Sequence, residues 1–327
     1  MVTSTTCTNS LCKVETCFMS YQSGVLKQDN LLGLMSDTTT TATTGDKQGP
    51  INRSWATVDM YAVQGKNPKD PTSYTATYRD TRLRVDHTWH PVYGLERQLV
   101  QDRIITDILE GKKPSTEVSP KAIFIGGPIG SGKTHLLKML YRFGLFPLDR
   151  FVHIDSDLIK TMLPESEMFN REDRTTAATR LHMESVHVAD LVQMEAIRRG
   201  LDIVVDSTLR DTDFFKQLFG MMSGLLYHIT VVQIAIDLKT VINRCRKRAL
   251  DTGRIVPHDL IIKVWKDTQD CLGGLIGYSD EYFLVDTRGE VPIFHDGVMK
   301  FLNLYSDSYN IKSATEIDSG YWPSVIP

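Results

Sequence analysis

Cysteine is scarce in this 327-residue chain, neither sign of charge is in surplus, and no long apolar run occurs. The five cysteines are Cys7, Cys12, Cys17, Cys245 and Cys271. A zinc knuckle needs tight Cys-x-x-Cys pairs and a fourth ligand, and both are missing. The odd, thinly spread set excludes a secreted disulfide scaffold and reads as free thiols in a reducing, cytoplasmic setting. No stretch approaches the roughly 20 apolar residues that span a bilayer, and the N-terminus has no apolar run fit for a signal peptide. No membrane partner is expected. Lys plus Arg number 37 against 40 Asp plus Glu, a formal charge of −3. That balance gives no general pull toward nucleic acid, which is not expected as a partner.

With 41% hydrophobic residues, the chain can build one good-sized core. Residues 1–50 are rich in Thr and Ser, with a nearly pure Thr/Ala tract at Thr38–Thr44, and read as a disordered tail. Residues 51–118 form an N-terminal extension with scattered aromatics (Trp55, Tyr61, Tyr74, Tyr78, Trp89). It ends in an amphipathic helix over Val92–Leu109, whose stripe is Leu95, Leu99, Ile104, Ile105 and Ile108. Gly111–Pro120 is a linker. From Lys121 strand and helix patterns alternate. Strands are expected at Ala122–Ile125, Phe151–Ile154, Leu201–Val205, Ile229–Ile236 and Tyr282–Val285. Helices are expected at His135–Phe143, at Arg180–Arg199 with Gly200 as its stop, and at Leu238–Leu250. Such alternation implies a mostly parallel sheet covered on both faces. The last segment, 305–327, is a tail containing Tyr321-Trp322-Pro323. No internal repeat is present.

The chemistry begins at Gly127-Pro128-Ile129-Gly130-Ser131-Gly132-Lys133-Thr134, which fits G-x-x-x-x-G-K-[ST] at every fixed position. Glycines let successive backbone N–H groups turn inward toward phosphate oxygens. The following helix adds its positive end. Lys133 is expected on the β- and γ-phosphates of ATP and the Thr134 hydroxyl on Mg²⁺. An apolar strand before the loop and a helix after it supply the required context. The fold class is therefore α/β, a three-layer P-loop NTPase/kinase fold for 119–304 plus an irregular N-terminal extension. No Asn-Lys-x-Asp guanine reader is found, which excludes a GTPase reading. At Ile203-Val-Val-Asp206-Ser207 the Glu that polarises water in ATPases is missing. An Asp ending the second strand and an Arg-rich helix near the C-terminus point instead to a small-molecule kinase.

Asp157 lies just past the carboxyl end of a strand, where open α/β sheets place ligands. A carboxylate there can take the proton of an attacking hydroxyl, or it can merely cap the helix that follows. Asp155 is the better candidate for a cap. Lys160, one turn on, suits an acceptor or a phosphate as well as solvent. Asp206 ends a buried strand, where it can hold Mg²⁺ through water. Arg244 and Arg248 share a helix face, and Arg254 follows Gly253. A guanidinium fixed on the transferring phosphoryl is worth roughly 10³-fold or more in rate. An exposed basic face is the alternative.

Four motifs in order carry a resemblance over about residues 120–290. They are the phosphate loop, His153-Ile-Asp155-Ser-Asp157-Leu-Ile-Lys160 with Leu163-Pro164, Val204-Val-Asp206-Ser-Thr208-Leu-Arg210, and Arg248-Ala-Leu-Asp-Thr-Gly-Arg254-Ile-Val-Pro257. Together they resemble the zeta toxin family of P-loop kinases. Ser207 departs from the family's usual Gly. The resemblance implies transfer of the ATP γ-phosphate to a sugar hydroxyl of a small molecule, and bacterial toxins of the family act on UDP-N-acetylglucosamine. It gives Asp157 the base role and selects Arg248 and Arg254 as the lid arginines. Thr208 and Arg210 are expected to face the acceptor, with a cap on the next helix as the alternative for Thr208. His182-Met-Glu184-Ser185 resembles a polar cluster of relatives, so Glu184 rather than Asp190 is expected at the acceptor. His135, His182 and His187 are read as ordinary histidines. An antitoxin-like or regulatory protein partner is admitted by the resemblance. A polynucleotide 5′-hydroxyl kinase and an ATP-binding regulatory module without group transfer are the competing readings.

Overall fold

The structure, a computed structural model, describes residues 56–309 apart from Leu272 and Glu290. The Thr/Ser-rich tail, Cys7, Cys12, Cys17 and the Tyr321-Trp322-Pro323 segment lie outside the described residues. In chain order the helices of the extension are α1 (Thr57–Tyr61), α2 (Arg79–Arg82) and α3 (Leu95–Leu109). Then come β1 (Lys121–Gly126), α4 (Lys133–Arg142), β2 (Val152–Asp155), α5 (Ser156–Met162), α6 (Glu165–Glu172), α7 (Ala177–Arg180) and α8 (His182–Arg198). The chain continues with β3 (Ile203–Ser207), α9 (Thr212–Gly224), β4 (His228–Ala235), α10 (Leu238–Thr252), α11 (His258–Asp270), β5 (Glu281–Asp286), β6 (Ile293–Phe294) and α12 (Val298–Tyr309).

The sheet order is β2-β3-β1-β4-β5-β6. The first five strands are parallel and β6 runs antiparallel to β5. β1 and β4 are buried along nearly their whole length, as parallel strands covered on both faces must be. One face carries Phe124, Val205 and Ile154 against α8, α9 and the extension. The other carries Ile123, Ile125, Val204 and Val285 against α4 and α12, where Phe146, Phe151, Phe301 and Tyr305 form a ring cluster. The expected three-layer fold with a mostly parallel sheet is therefore present. The sequence reading missed β6, whose two residues are too few to show a period. The expected tail boundary at 305 falls inside α12, and Tyr305 is fully buried there.

The extension shares the first core, through Tyr78, Val85, Ile104, Ile105 and Leu109. Its helix α3 corrects the sequence reading. Leu95 and Leu99, expected on the inner stripe, are 50% and 60% exposed, while Arg97, Gln98, Gln101 and Asp102 are buried. The reason lies across the interface. Arg97 donates to Glu184 from Nε and Nη2 (2.6 and 2.8 Å) and to Glu165 from Nη1 and Nη2 (both 2.8 Å). Gln101 Nε2 donates to Glu184 at 2.9 Å, and Tyr61 Oη to Glu165 at 2.6 Å. Arg82 meets Asp102 at 2.7 Å, and Thr81 donates to Glu195 at 2.6 Å. Core carboxylates thus hold Arg97 and Gln101 inward, while Asp102 and Gln98 are met from within the extension by Arg82, Thr75 and the Ser73 carbonyl.

One cation serving two enclosed carboxylates makes Arg97 the sensitive point. Arg97→Met is expected to destabilise the fold by about 3–5 kcal/mol, because Glu165 and Glu184 would stay buried without a counter-charge. Urea unfolding of the two proteins measures this, and a loss below about 1 kcal/mol would contradict a structural role for the network.

Candidate active site

The phosphate loop follows β1, and α4 begins at Lys133. Gly130 has φ +78, and a Cβ there would meet Cys245 Sγ at 2.8 Å, so both conformation and space require glycine. The loop is braced from outside. The Ser131 carbonyl accepts from Arg244 Nη1 (3.1 Å) and Thr287 Oγ1 (2.7 Å), and Arg244 also bonds the Thr287 carbonyl. Inside, Lys133 Nζ donates to the carbonyls of Gly127 (2.9 Å) and Pro128 (3.3 Å) and lies 3.7 Å from Asp206 Oδ1. Thr134 Oγ1 donates to Asp206 Oδ2 at 2.8 Å. The loop's lysine and hydroxyl therefore both face the carboxylate that ends β3.

β2 and β3 pair in parallel with Asp155 opposite Asp206. Asp155 also caps α5, accepting the Asp157 N–H at 2.8 Å. Burial, then the nearby Asp206 and Asp157 charges, raise the Asp155 carboxyl. Asp157 faces the lid. Arg254 grips it with two bonds, Nη1 to Oδ2 at 2.6 Å and Nη2 to Oδ1 at 2.8 Å. Lys160 Nζ donates to Oδ1 at 2.9 Å, and Arg248 Nη2 stands 3.9 Å from Oδ2. Burial would raise the Asp157 carboxyl, but Lys160 and Arg254 override it and hold it well below the usual carboxylate range. The turn that delivers Arg254 depends on Gly253 at φ +73, where a Cβ would run into Arg174 Cδ at 2.4 Å. Loop lysine, acidic strand ends and lid arginines thus converge on one sheet edge, the arrangement phosphoryl transfer requires.

The sequence model of the family described as Zeta toxin matches residues 105–275, just over half of the chain. The chain belongs to the zeta toxin family. Among solved structures it is similar to the AvrRxo1-ORF1:AvrRxo1-ORF2 complex. The form with sulphate ions and the form with ATP both give a TM-score of 0.50 at 14% identity over 73% of this chain, covering 76% and 75% of those chains. It is also similar to a chain of the PezAT chromosomal toxin–antitoxin system of the human pathogen Streptococcus pneumoniae. There the identity is 19% over 59% of this chain and 78% of that one, with a TM-score of 0.44. No curated protein matches by sequence. The AvrRxo1 similarity bears on fold, and the fold of this zeta toxin chain is kinase-like.

The remaining expected residues can be placed against that fold. Thr208 and Arg210 follow β3. Arg210 Nε donates to Thr208 Oγ1 at 3.2 Å, and Nη1 lies 3.5 Å from Asp267 on α11. Glu184 is a correction: it is fully buried and turned to Arg97 and Gln101 of the extension, away from the lid. Its neighbour Asp190 takes a bond with His90 Nε2 at 2.7 Å. On an α-helix, positions two apart point about 200° away from each other, so His182, two residues before Glu184, lies on the opposite side of α8, within electrostatic reach of Lys160 and Asp157. Burial and the Lys160 charge push the His182 imidazole down to about 4, with Asp157, Arg210 and Arg254 also within electrostatic reach. The sequence reading set His182 aside as ordinary. Nothing in its sequence spacing set it apart. Arg244, weighed with the lid arginines, braces the loop instead.

Below the ordinary imidazole value of about 6.5, an unfolded chain takes up a proton at His182 that the folded chain refuses until about 4. The unfolded state binds more protons in that window, so stability must fall as pH drops through it. Thermal melts of wild type and His182→Gln, from neutral pH down to the lower value, are expected to converge as pH falls. Parallel losses in the two proteins would contradict the placement of His182.

Proposed function

We propose that this chain is a phosphotransferase that moves the γ-phosphate of ATP to a hydroxyl of a small molecule. A nucleotide sugar such as UDP-N-acetylglucosamine is the acceptor class the family suggests. The observation that carries this reading is the two-bond grip of Arg254 on Asp157, which lies at the same sheet edge as Lys133 and Thr134. In this reading a lid arginine and the base carboxylate, in direct contact, support a meeting point there for the transferring group and the attacking hydroxyl.

ATP phosphates entering the loop would offer Lys133 stronger partners than the carbonyls of Gly127 and Pro128, because charge-assisted bonds to phosphate exceed those to neutral acceptors. Arg254, and Arg248 behind it, would pass from Asp157 to the γ-phosphoryl oxygens, where charge develops in the transition state. Asp157, released, accepts the proton of the acceptor hydroxyl as its oxygen bonds to phosphorus and the bond to ADP breaks. Lys160, Thr208 and Arg210 surround the acceptor. The Thr134 hydroxyl and Asp206 form an oxygen donor set that fits Mg²⁺, which when bound neutralises the β- and γ-phosphate charge. The antitoxin-like partner stays part of the proposal, as does the cytoplasmic location. Among the described residues no helix is long and apolar enough to cross a membrane.

Transfer of labelled γ-phosphate to nucleotide sugars, nucleosides and RNA 5′-hydroxyl ends tests the reading. Label is expected on a sugar hydroxyl. Asp157→Ala should lower the rate by about 10²–10⁴-fold and Arg254→Met by roughly 10³-fold or more, with nucleotide binding retained in both. Label on RNA ends would move the chain to the polynucleotide kinase class. Equal rates for wild type and Asp157→Ala would remove the base assignment.

A further inference from the structure

The face of β2 turned toward α4 carries two donors, His153 and Asp155, that the proposed transfer does not use. Val152 and Ile154 enter the core with the extension. With the two-residue period of a strand, His153 and Asp155 therefore project to the other face. In the parallel register His153 lies opposite Val204 and Asp155 opposite Asp206. One imidazole nitrogen of His153 and one carboxylate oxygen each from Asp155 and Asp206 lie within 4.8 Å of one another. The Nε2 atom of His153 is buried without a hydrogen-bond partner, an uncommon state for a buried polar atom. Two carboxylates held side by side repel each other. The nearest cation to Asp206, Lys133 Nζ at 3.7 Å, is engaged with the loop carbonyls.

We infer that His153, Asp155 and Asp206 form a binding site for a first-row divalent transition-metal ion, occupied without nucleotide. Donors bonded at about 2.1 Å to one ion lie at most about 4.2 Å apart, so side-chain shifts of under about an ångström close the set. Mg²⁺ prefers a shell of oxygens and dehydrates reluctantly, whereas an imidazole nitrogen favours first-row transition ions. The nitrogen therefore biases the site away from Mg²⁺, and three protein donors fix the ion before any phosphate arrives. Thr134 Oγ1, bonded to Asp206 at 2.8 Å, joins this ion to the phosphate loop. An ion held here would share Asp206 with the Mg²⁺ proposed to accompany the nucleotide, a consequence that rests on the kinase reading, although the site itself does not.

The probe is Mn²⁺, titrated into the nucleotide-free full chain and followed by its EPR signal, with Mg²⁺ as competitor. Wild type should bind one Mn²⁺ per chain and resist displacement by Mg²⁺. His153→Gln, which exchanges nitrogen for an amide oxygen, should weaken Mn²⁺ by about 10–100-fold while leaving Mg²⁺ affinity unchanged, so that Mg²⁺ now displaces Mn²⁺ readily. Asp155→Asn should lose Mn²⁺ as well, with thermal melts showing both variants folded. No Mn²⁺ uptake by wild type before ATP is added would overturn the site, as would equal Mn²⁺ affinity in wild type and His153→Gln. Retained Mn²⁺ binding with no phosphate transfer would instead count against the kinase reading alone.

Discussion

Asp157 sits among more positive charge than it can neutralise. Arg254 takes both of its oxygens, Lys160 shares one and Arg248 waits 3.9 Å away. This pairing ties the segment after α10 to the start of α5, and it sets the state of the Asp157 carboxylate at rest. A carboxylate so held is a weak proton acceptor, because the cations that stabilise its charge also lower its basicity. For Asp157 to act as the proposed base, a better anion must draw the arginines off. The γ-phosphate is such an anion, and its arrival at the loop would activate the base at the point where transfer begins. Nucleotide binding and base activation are then one event, which would limit proton abstraction when no phosphoryl donor is present.

The scaffold that fixes this geometry also encloses charge. Arg97 carries two carboxylates of the core, one from α6 and one from α8. Glu184 belongs to the helix whose first residue, His182, lies within electrostatic reach of Asp157. Extension and site are therefore joined through α8 by charge. Charges enclosed in this way cost much to separate, so the extension from α1 to α3 is a structural part of the kinase-like body. The cap that Asp155 gives α5 acts at shorter range, fixing the backbone that presents Asp157.

The parts legible in the sequence are those whose causes are local. Glycines 127, 130 and 132 with Lys133 and Thr134 dictate a loop whatever surrounds it, and the apolar runs of β1, β3 and β4 announce buried parallel strands. Asp155 as a cap follows from its place one residue before a helix. The inner face of α3 was not legible, because Arg97 is buried by partners 68 and 87 residues away. The sequence offered Leu95 and Leu99 as the natural inner stripe, and only the position of Glu165 and Glu184 reverses that choice. Glu184 failed for the same reason: its spacing gave a helix but not the direction of its face. The lid arginines were legible as a group. Their division into brace (Arg244), second cation (Arg248) and base partner (Arg254) depends on how α10 lies across the loop.

The central claim is that nucleotide frees Asp157 from Arg254. The most direct measurement is the titration of the Asp157 carboxyl carbon by ¹³C NMR, with and without a non-hydrolysable ATP analogue. In the free protein the group should stay ionised well below the ordinary carboxylate range. With the analogue bound its pKa should rise toward that range, as the guanidinium moves to the γ-phosphate. A titration unchanged by the analogue, at saturating nucleotide, would mean that Arg254 does not leave Asp157 and would contradict the account.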